Sequence, residues 1–342
     1  MKKVFRFIAA AALVCLFAAC KKDPIEVQSV SLDKTTLTMA EGSSEQLTAT
    51  VAPDNATDKN VSWLSSDNAV ATVSSDGKVT AVKAGTATII VTTEDGGKTA
   101  ICKVTVLANI DGALSGVFSV SDTKKVRFSK GNLQVLFTYS HIRPNTYDFS
   151  FAEHQYDYVG DAPGNTTFGD KKNGSYLIDL FGWSTESTYY GISTSTSISD
   201  YFGDFRDWGK KIGDGSTWRT LSKDEWVYLF KTRSNASSLY KTDVSVCGKA
   251  NCVIIAPDGY TGTIAASYDA STWPVAEAAG LVCFPAAGRR DGSSVSYVGD
   301  YGNYWSSSAY DSCNAYMMFL GSPECYGGRR YGYSVRLITE CQ

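Results

Sequence analysis

The sequence predicts an all-β sandwich followed by an α+β domain. Residues 27–107 read as about seven short alternating strands separated by turn residues, at the ~8–12-residue spacing that is typical of a sandwich. Residues 117–342 combine one capped helix with short strands and long connections, which favours an α+β domain. The length of 342 residues fits two domains at ~150 residues per domain.

Composition excludes several classes of function. The formal net charge is -3, whereas a nucleic-acid-binding surface needs a basic patch, so no nucleic-acid partner is expected. Only two histidines occur, His141 and His154, which disfavours His-rich metal sites and His-based acid–base catalysis. The 20 tyrosines and 30 glycines are instead typical of irregular recognition surfaces.

The N-terminal residues predict export. Three basic residues precede an apolar stretch over residues 8–17, which is too short to span a hydrocarbon core of ~30 Å. Residues 1–19 are therefore interpreted as a cleaved signal peptide, and residues 20–26 as a short tether.

Ala18 and Ala19 directly before Cys20 resemble the lipobox of bacterial lipoproteins. The resemblance implies acylation of Cys20 and an anchor in the bacterial outer membrane, with the protein exposed at the surface. Each buried CH₂ of an acyl chain contributes ~0.8 kcal/mol to membrane binding. The alternative is an ordinary secretory signal with an incidental cysteine.

Seven of the nine cysteines remain after residue 20. An exported protein permits disulfides, and the six cysteines of the second domain allow 15 connectivities. Cys313 and Cys325 flank a plausible hairpin, but free buried cysteines explain the pattern equally well. No C-x-x-C pair occurs, so neither a zinc site nor any other metal site or cofactor is predicted.

The turns of the first domain are as informative as its strands. Asp76-Gly77 predicts a hairpin turn, because both residue types accept φ > 0. Trp63 is expected to be a core aromatic residue.

Five segments resemble the bacterial Ig-like domain, group 2: Gly42–Val51, Val61–Asp67, Val70–Ser74, Asp76–Val82 and Ala84–Ile89. The resemblance implies an Ig-like sandwich that acts as a spacer in a surface protein or adhesin.

A short linker rich in small residues, 108–116, precedes the second domain. Ser222 and Glu225 form a capping box, which predicts a helix with Trp226, Leu229 and Phe230 on one buried face. Glu225 is therefore assigned to capping rather than to catalysis.

Several segments of the second domain resemble the major paralogous lipoprotein domain of Fibrobacter and Bacteroidetes, which is similar to the C-type-lectin-like and formylglycine-generating-enzyme folds. They are Phe128–Gln134, Phe151–Glu153, Tyr156–Gly160, Asp179–Trp183, Trp218–Arg233, Phe284–Arg290, Gly302–Ser308 and Arg330–Ile338. The resemblance implies a C-type-lectin-like scaffold that presents variable loops. It implies no reaction.

Enzyme and calcium sites are poorly supported. A formylglycine-generating oxidase needs a reactive cysteine pair, and Cys313 and Cys325 depart from its spacing. The Glu-Pro-Asn or Gln-Pro-Asp and Trp-Asn-Asp motifs of calcium-dependent lectins are absent from the sequence. Asp204 with Asp207, or Asp291 with Asp300, could contribute oxygens to an ion, but loop aspartates usually solvate turns.

Ligand binding by the C-terminal residues fits the sequence better. Tyrosine and arginine combine a large contact area with hydrogen bonding, and both are enriched at binding hot spots. The candidate ligand-binding residues are Tyr301, Tyr310, Asp311, Asn314, Tyr316, Tyr326, Arg329, Arg330 and Tyr331. Some of the tyrosines could instead close the core, as Trp305 and Phe319 are expected to do. The segment also resembles the variable regions of retroelement-diversified lectin-like proteins.

These observations predict a lipid-anchored surface protein with an Ig-like stalk and a lectin-like head that binds an extracellular glycan or protein. A formylglycine-generating-type enzyme head and a structural subunit of a surface fibre are the alternatives.

Overall fold

The computed structural model describes residues 23–142, 144–166 and 174–341. The predicted signal peptide and Cys20 lie outside the described residues. No helix within the described ranges is long and apolar enough to cross a membrane. The chain divides into two compact units, the first formed by residues 23–37 and 42–105 and the second by residues 38–41 and 106–341.

Within residues 23–107, the regular elements that the structure describes are strands. They are β1 (Ser29–Leu32), β2 (Thr36–Ala40), β3 (Ser44–Gln46), β4 (Ala49–Ala52), β5 (Val61–Ser65), β6 (Ala71–Val73), β7 (Lys78–Ala81), β8 (Gly85–Thr93) and β9 (Thr99–Leu107). They form sheets with the orders β1-β4, β2-β9-β8-β5 and β3-β7-β6. β8 pairs antiparallel with β5, and β7 pairs antiparallel with both β3 and β6.

The period-2 pattern of the sequence explains this packing. In β8, Ala87, Ile89 and Val91 are buried, and the residues between them are only partly buried. In β9, Cys102 and Val104 are buried in the same alternating way. Burial raises the pKa of the Cys102 thiol, which acts here as a small apolar core residue.

The predicted turn at Asp76-Gly77 joins β6 to β7, but only Gly77 has a positive φ, of +86°. A Cβ on residue 77 would lie 2.6 Å from the Leu47 carbonyl oxygen and 2.8 Å from the Trp63 ring. Trp63 itself is half-buried. Its ring packs on the glycine of this turn, and the next residue, Leu64, is 61% exposed on the opposite face of β5.

The second unit is also dominated by strands. They are β10 (Phe118–Ser119), β11 (Lys125–Phe128), β12 (Leu133–Tyr139), β13 (Thr146–Phe151), β14 (Gly174–Ile178), β15 (Arg219–Thr220), β16 (Tyr240–Val246), β17 (Lys249–Ile255), β18 (Ser267–Tyr268), β19 (Val282–Phe284), β20 (Arg289–Asp291), β21 (Ser294–Ser296), β22 (Asn303–Ala309), β23 (Asn314–Phe319), β24 (Ser322–Gly328) and β25 (Leu337–Glu340).

The helices of this unit are short. They are α1 (Pro163–Thr166), α2 (Lys223–Val227), α3 (Trp273–Ala278), a π-helix (Tyr228–Thr232) and 3-10 helices at Ile198–Tyr201, Trp208–Lys211 and Ala236–Ser238.

The described residues of this unit form five small sheets, with the orders β10-β11-β25-β15, β13-β12-β14, β18-β16-β17-β19, β20-β21 and β22-β23-β24. β11 pairs antiparallel with β25, so strands from the beginning and the end of the unit are neighbours. The hairpin of β23 and β24 has Tyr316 opposite Tyr326 and Met317 opposite Cys325.

The predicted capping box is present at the start of α2. The Ser222 hydroxyl accepts from the Glu225 N–H at 3.2 Å, and the Glu225 carboxylate accepts from the Ser222 N–H at 2.8 Å. Arg219 donates two further hydrogen bonds to Glu225. Burial would raise the pKa of Glu225, but Arg219 and the Ser222 N–H outweigh it and lower the pKa. Trp226 is buried, as expected for the core face of this helix.

Buried arginines hold the irregular segments of the second unit together. Their guanidinium groups donate to main-chain carbonyl oxygens, which long connections leave without ladder partners. These residues are Arg127, Arg233, Arg290, Arg329 and Arg336. Arg290 donates to the carbonyl oxygens of Leu180 and Ser193, both at 3.0 Å, and to those of Gly191 and Gly292.

Candidate functional site

The structure distributes the nine predicted ligand-binding residues over two surface groups and one buried position. The first group contains Tyr310, Asp311, Asn314, Tyr316 and Tyr326. The second group contains Tyr301, Arg330 and Tyr331. Among the described residues, no aromatic contact joins the rings of the first group to those of the second.

The first group is a cluster of three tyrosines, Tyr310, Tyr316 and Tyr326, which we call the tyrosine cluster. Cross-strand pairing places Tyr316 beside Tyr326, and Tyr310 follows the end of β22. The rings of Tyr310 and Tyr326 are stacked, with centroids 4.1 Å apart and planes 5° apart, and Tyr310 meets Tyr316 edge-on at 5.2 Å. Tyr310 is 48% exposed and Tyr326 is 52% exposed. About half of each stacked ring is thus exposed to solvent.

A tight turn supports this cluster. The Asp311 carboxylate accepts hydrogen bonds from the Cys313 and Asn314 N–H groups, both at 2.7 Å, and from the Asn314 side-chain amide. The bonds from Asn314 and Cys313 lower the pKa of Asp311. Asp311 and Asn314 therefore bond to each other and fix the turn that leads into β23.

Arg329 is not part of an exposed surface. It is 4% exposed, and its guanidinium donates to the carbonyl oxygens of Tyr201, Gly203, Asp311 and Asn314. The same group lies 4.1 Å from the centroid of the Trp183 ring. Its position is that of a packing residue, which orders the loops on either side of it.

The second group is part of a longer row of stacked side chains. Tyr331 lies below the guanidinium groups of Arg289, at 4.6 Å, and Arg330, at 4.7 Å. Arg289 also lies 5.5 Å from the Tyr297 ring, and Tyr297 stacks on Tyr301 with centroids 4.2 Å apart. We call these five residues the arginine–tyrosine row.

The hairpin of β20 and β21 positions this row. Successive residues of a strand point to opposite faces, so Arg290 points inward and is 1% exposed, while its neighbour Arg289 is half-buried at the surface. Arg290 also exchanges two main-chain hydrogen bonds with Gly332, which brings Tyr331 beside the hairpin. A Cβ on residue 332 would lie 2.8 Å from the Arg290 side chain, so glycine is required for this approach.

The charges of the row are unevenly paired. Arg330 forms an ion pair of 2.8 Å with Asp291 and also donates to the Tyr331 hydroxyl. Within the described ranges, no carboxylate lies within ion-pairing distance of Arg289, and its Nε is buried without a hydrogen-bond partner. The neighbouring Tyr333 has a pKa raised by burial, against the opposing effect of Arg289. A buried donor without an acceptor costs ~1–3 kcal/mol, so the Nε of Arg289 requires an explanation.

Sequence reasoning did not assign Arg289 or Tyr297 to the site. The adjacent pair Arg289-Arg290 before Gly292 is the signal that could have indicated them, because strand alternation directs one arginine inward and the other outward. Tyr297 has a positive φ of +60°, which is uncommon for a bulky residue. This conformation, one turn before Tyr301, brings the two rings into contact.

A further aromatic cluster, also not predicted, lies around the adjacent residues Tyr189 and Tyr190. Both have positive φ values, +47° and +59°. The ring of Tyr189 meets that of Tyr147 at 4.4 Å, and the Lys211 ammonium lies 4.4 Å from the Tyr190 centroid. Tyr147 and Tyr190 are partly buried against the core, so this cluster mainly completes the packing of the β12–β14 sheet.

The hairpin register separates the two cysteines that were considered for oxidase chemistry. Cys325 is paired with Met317, whereas Cys313 lies opposite Arg329, four residues further along β24 and its continuation. At a rise of about 3.3 Å per residue this offset is about 13 Å, well beyond the reach of a disulfide. The seven cysteines that the structure describes are all free thiols.

Two of the four aspartates considered for calcium have other partners. Asp207 accepts from the Gly209 and Thr220 N–H groups and caps a 3-10 helix, and Asp291 pairs with Arg330. In the described part of the chain, no group of three or more His, Cys, Asp or Glu side chains could hold a metal ion.

Comparison with known proteins identifies the first part of the chain. Residues 26–104 match the family of bacterial Ig-like domains (group 2). The alpha-L-arabinofuranosidase of Bifidobacterium longum subsp. longum is 61% identical over 70 residues, which are 20% of this chain and 7% of that protein. The Ig-like virion protein of Serratia phage KSP90 is 46% identical over 83 residues, 24% of this chain and 32% of that protein.

The chain therefore spans less than a third of the length of these two relatives. Among solved structures, domains 4 and 5 of the S-layer protein SbsC are similar at 24% identity and a TM-score of 0.22. This likeness covers 25% of this chain and 53% of that one.

Proposed function

We propose that this is a lipid-anchored protein of the bacterial outer-membrane surface whose second unit binds an extracellular glycan or protein. The Ig-like domain serves as a spacer between the anchor at Cys20 and the binding unit. The observation that carries the proposal is the stacked pair Tyr310 and Tyr326, each about half exposed on a hairpin of the second unit.

The exposure of these rings supports binding because aromatic side chains are usually buried. Two rings stacked at 4.1 Å already bury the faces between them, so the area still exposed is available to a ligand. Tyrosine loses little conformational entropy on binding, since only two side-chain torsions are fixed. The Lys223 ammonium, 5.5 Å from the Tyr316 ring, adds a positive charge beside the cluster.

The rigidity of the support is a second argument. Tyr316 and Tyr326 lie on paired strands, and Tyr310 is held by main-chain hydrogen bonding to Asn314 at 3.0 Å. A surface that is already ordered pays little entropy when a ligand binds. The cluster is therefore arranged for recognition by ring stacking.

A direct test measures binding of the full chain to arrays of neutral glycans and extracellular matrix proteins. We expect Tyr326→Ala and Tyr310→Ala to weaken binding about tenfold or more, the effect of removing a central aromatic contact. Tyr326→Phe should keep most of the binding, because the ring remains. Tyr189→Ala is the matched control, since Tyr189 is 47% exposed on the same unit but lies outside the cluster.

Equal binding by Tyr326→Ala and the native chain would refute the assignment of the tyrosine cluster. The anchor is tested separately: radiolabelled palmitate should enter the native protein and not Cys20→Ala, and only the native protein should sediment with membranes.

A further inference from the structure

We infer that the arginine–tyrosine row is a second ligand site, in which Arg289 holds the anionic group of an acidic saccharide while the saccharide ring stacks on Tyr297. This inference rests on the proposed function and specifies one ligand class for it. It uses residues distinct from the tyrosine cluster.

The state of Arg289 is the first observation. Its guanidinium lies between two tyrosine rings, at 4.6 Å from the Tyr331 centroid and 5.5 Å from the Tyr297 centroid. Within the described ranges no carboxylate is within ion-pairing distance, and the Nε is buried with no acceptor. Its neighbour Arg330, by contrast, has Asp291 at 2.8 Å. Arg289 is thus a fixed cation that also bonds to the Tyr333 side chain, and a planar anion that accepts its remaining N–H groups would complete it.

The local charge agrees with an anionic ligand. Asp291 pairs with Arg330, so among the described residues the positive charge of Arg289 is left without a carboxylate at ion-pairing distance. Asp300 lies in the turn between Tyr297 and Tyr301 and is exposed. With Asp300 counted, the charges of Arg289, Arg330, Asp291 and Asp300 sum to zero, so an anion would have to contact the Arg289 guanidinium directly.

The rings indicate what that scaffold is. Tyr297 is 44% exposed and is backed by Tyr301, whose ring plane differs from its own by only 11°. Tyr301 covers one face of this ring and the Arg289 guanidinium lies over the ring at 5.5 Å, so the exposed part of the ring beside Arg289 is what would meet the C–H groups of a sugar ring. The distance of 5.5 Å between Arg289 and Tyr297 allows one monosaccharide to touch both.

An acidic peptide fits less well. Extended peptides usually bind by adding a strand to an open sheet edge. β20 pairs with β21 on one side and bonds to Gly332 through Arg290 on the other, so the strand that carries Arg289 has no such edge. Recognition here depends on side chains, which favours the saccharide.

Titration calorimetry of the full chain would test the inference with four probes: oligogalacturonate, its neutral methyl ester, dextran sulfate and oligoglutamate. We expect oligogalacturonate or dextran sulfate to bind about tenfold or more tightly than the methyl ester, because charge-assisted bidentate hydrogen bonds are among the strong ones. If oligogalacturonate binds more tightly than dextran sulfate, the preferred anion is a carboxylate. If dextran sulfate binds more tightly, the preferred anion is a sulfate ester.

Arg289→Gln should abolish the preference for the charged probe, and Arg289→Lys should restore only part of it, because lysine lacks the planar fork. Arg206→Gln is the matched control, since Arg206 is exposed on the same unit and paired with Glu186, and it should bind as the native chain does. Thermal unfolding of Arg289→Gln checks its fold. If that variant does not fold, the affinities of the native chain for the charged saccharides and for the neutral methyl ester still test the inference.

Binding of both charged saccharides no tighter than that of the methyl ester, or tighter binding of oligoglutamate than of either charged saccharide, would overturn the inference. Failure of the inference can be separated from failure of the proposed function. If neutral glycans or matrix proteins bind in a manner that depends on Tyr326 while the charged probes do not bind, the proposed function stands and the site at Arg289 is wrong.

Discussion

The two units of this chain solve the problem of unpaired main-chain groups in different ways. The Ig-like unit uses strand ladders, and its buried polar side chains are Ser65 and Thr93. The second unit has long irregular connections and buries five arginines and Asp179. Arginine carries five N–H donors, so a single side chain can satisfy several loop carbonyls at once. Buried arginines can therefore hold irregular surface loops in place, and the stability of the second unit then depends on these few charged side chains.

The largest effect that separates the units should come from Arg290→Met. The variant would leave the carbonyl oxygens of Leu180, Gly191 and Ser193 without this donor, and we expect the second unit to lose at least about 3 kcal/mol of stability. Calorimetry should show its transition at a lower temperature and that of the Ig-like unit unchanged. Arg206→Met should change stability by less than about 0.5 kcal/mol. A shift of both transitions would contradict independent units.

The next effect concerns pH. Burial raises the pKa of Asp179 to about 6, although the Asn165 amide and the Val159 N–H, both at 2.7 Å, stabilise its charged form. The folded state thus binds the proton more tightly than the unfolded state. This contribution is complete below the usual pKa near 3.8 and is lost as pH rises to about 6.

Between about pH 4 and pH 7, the stability of Asp179→Asn relative to the native chain should therefore rise by about 3 kcal/mol. Urea unfolding of the second unit across this range measures it. A relative stability that does not change with pH would show that Asp179 is ionised throughout.

The smallest of the three effects tests the Ig-like unit. Gly77→Ala places a Cβ 2.6 Å from the Leu47 carbonyl oxygen at a positive φ, and we expect a loss of about 2 kcal/mol confined to this unit. Gly42→Ala is the control, because its φ of +81° is similar but nothing lies within 4 Å of the new Cβ. Similar losses in both variants would mean that backbone strain, and not close packing, limits this sandwich.

The sequence predicted most where structure is local. The turn at Asp76-Gly77 and the capping box of Ser222 and Glu225 depend on residues a few positions apart, and both are confirmed. The bacterial Ig-like domain is confirmed by its family match. Trp63 is partly buried, and its ring packs against the turn at Gly77.

The candidate site was harder to predict, because exposure depends on packing between distant segments. Tyr326 and Arg329 are three residues apart and chemically equally suited to binding, yet the ring is exposed and the guanidinium is buried under loops that begin near residue 201. β23 is apolar on both faces, so its alternation does not reveal which side meets solvent. Arg289 became a candidate only because Tyr297 and Tyr331, from two other segments of the chain, contact its guanidinium.

The pairing of β11 with β25 has a consequence for synthesis. The second unit cannot close its N-terminal sheet until Glu340, the partner of Val126, has been made. The Ig-like unit contains all of its strands long before that point and can fold while the rest of the chain is still emerging. The topology therefore implies that the Ig-like unit folds before the second unit. Truncation of β25 would leave β11 without its pairing partner.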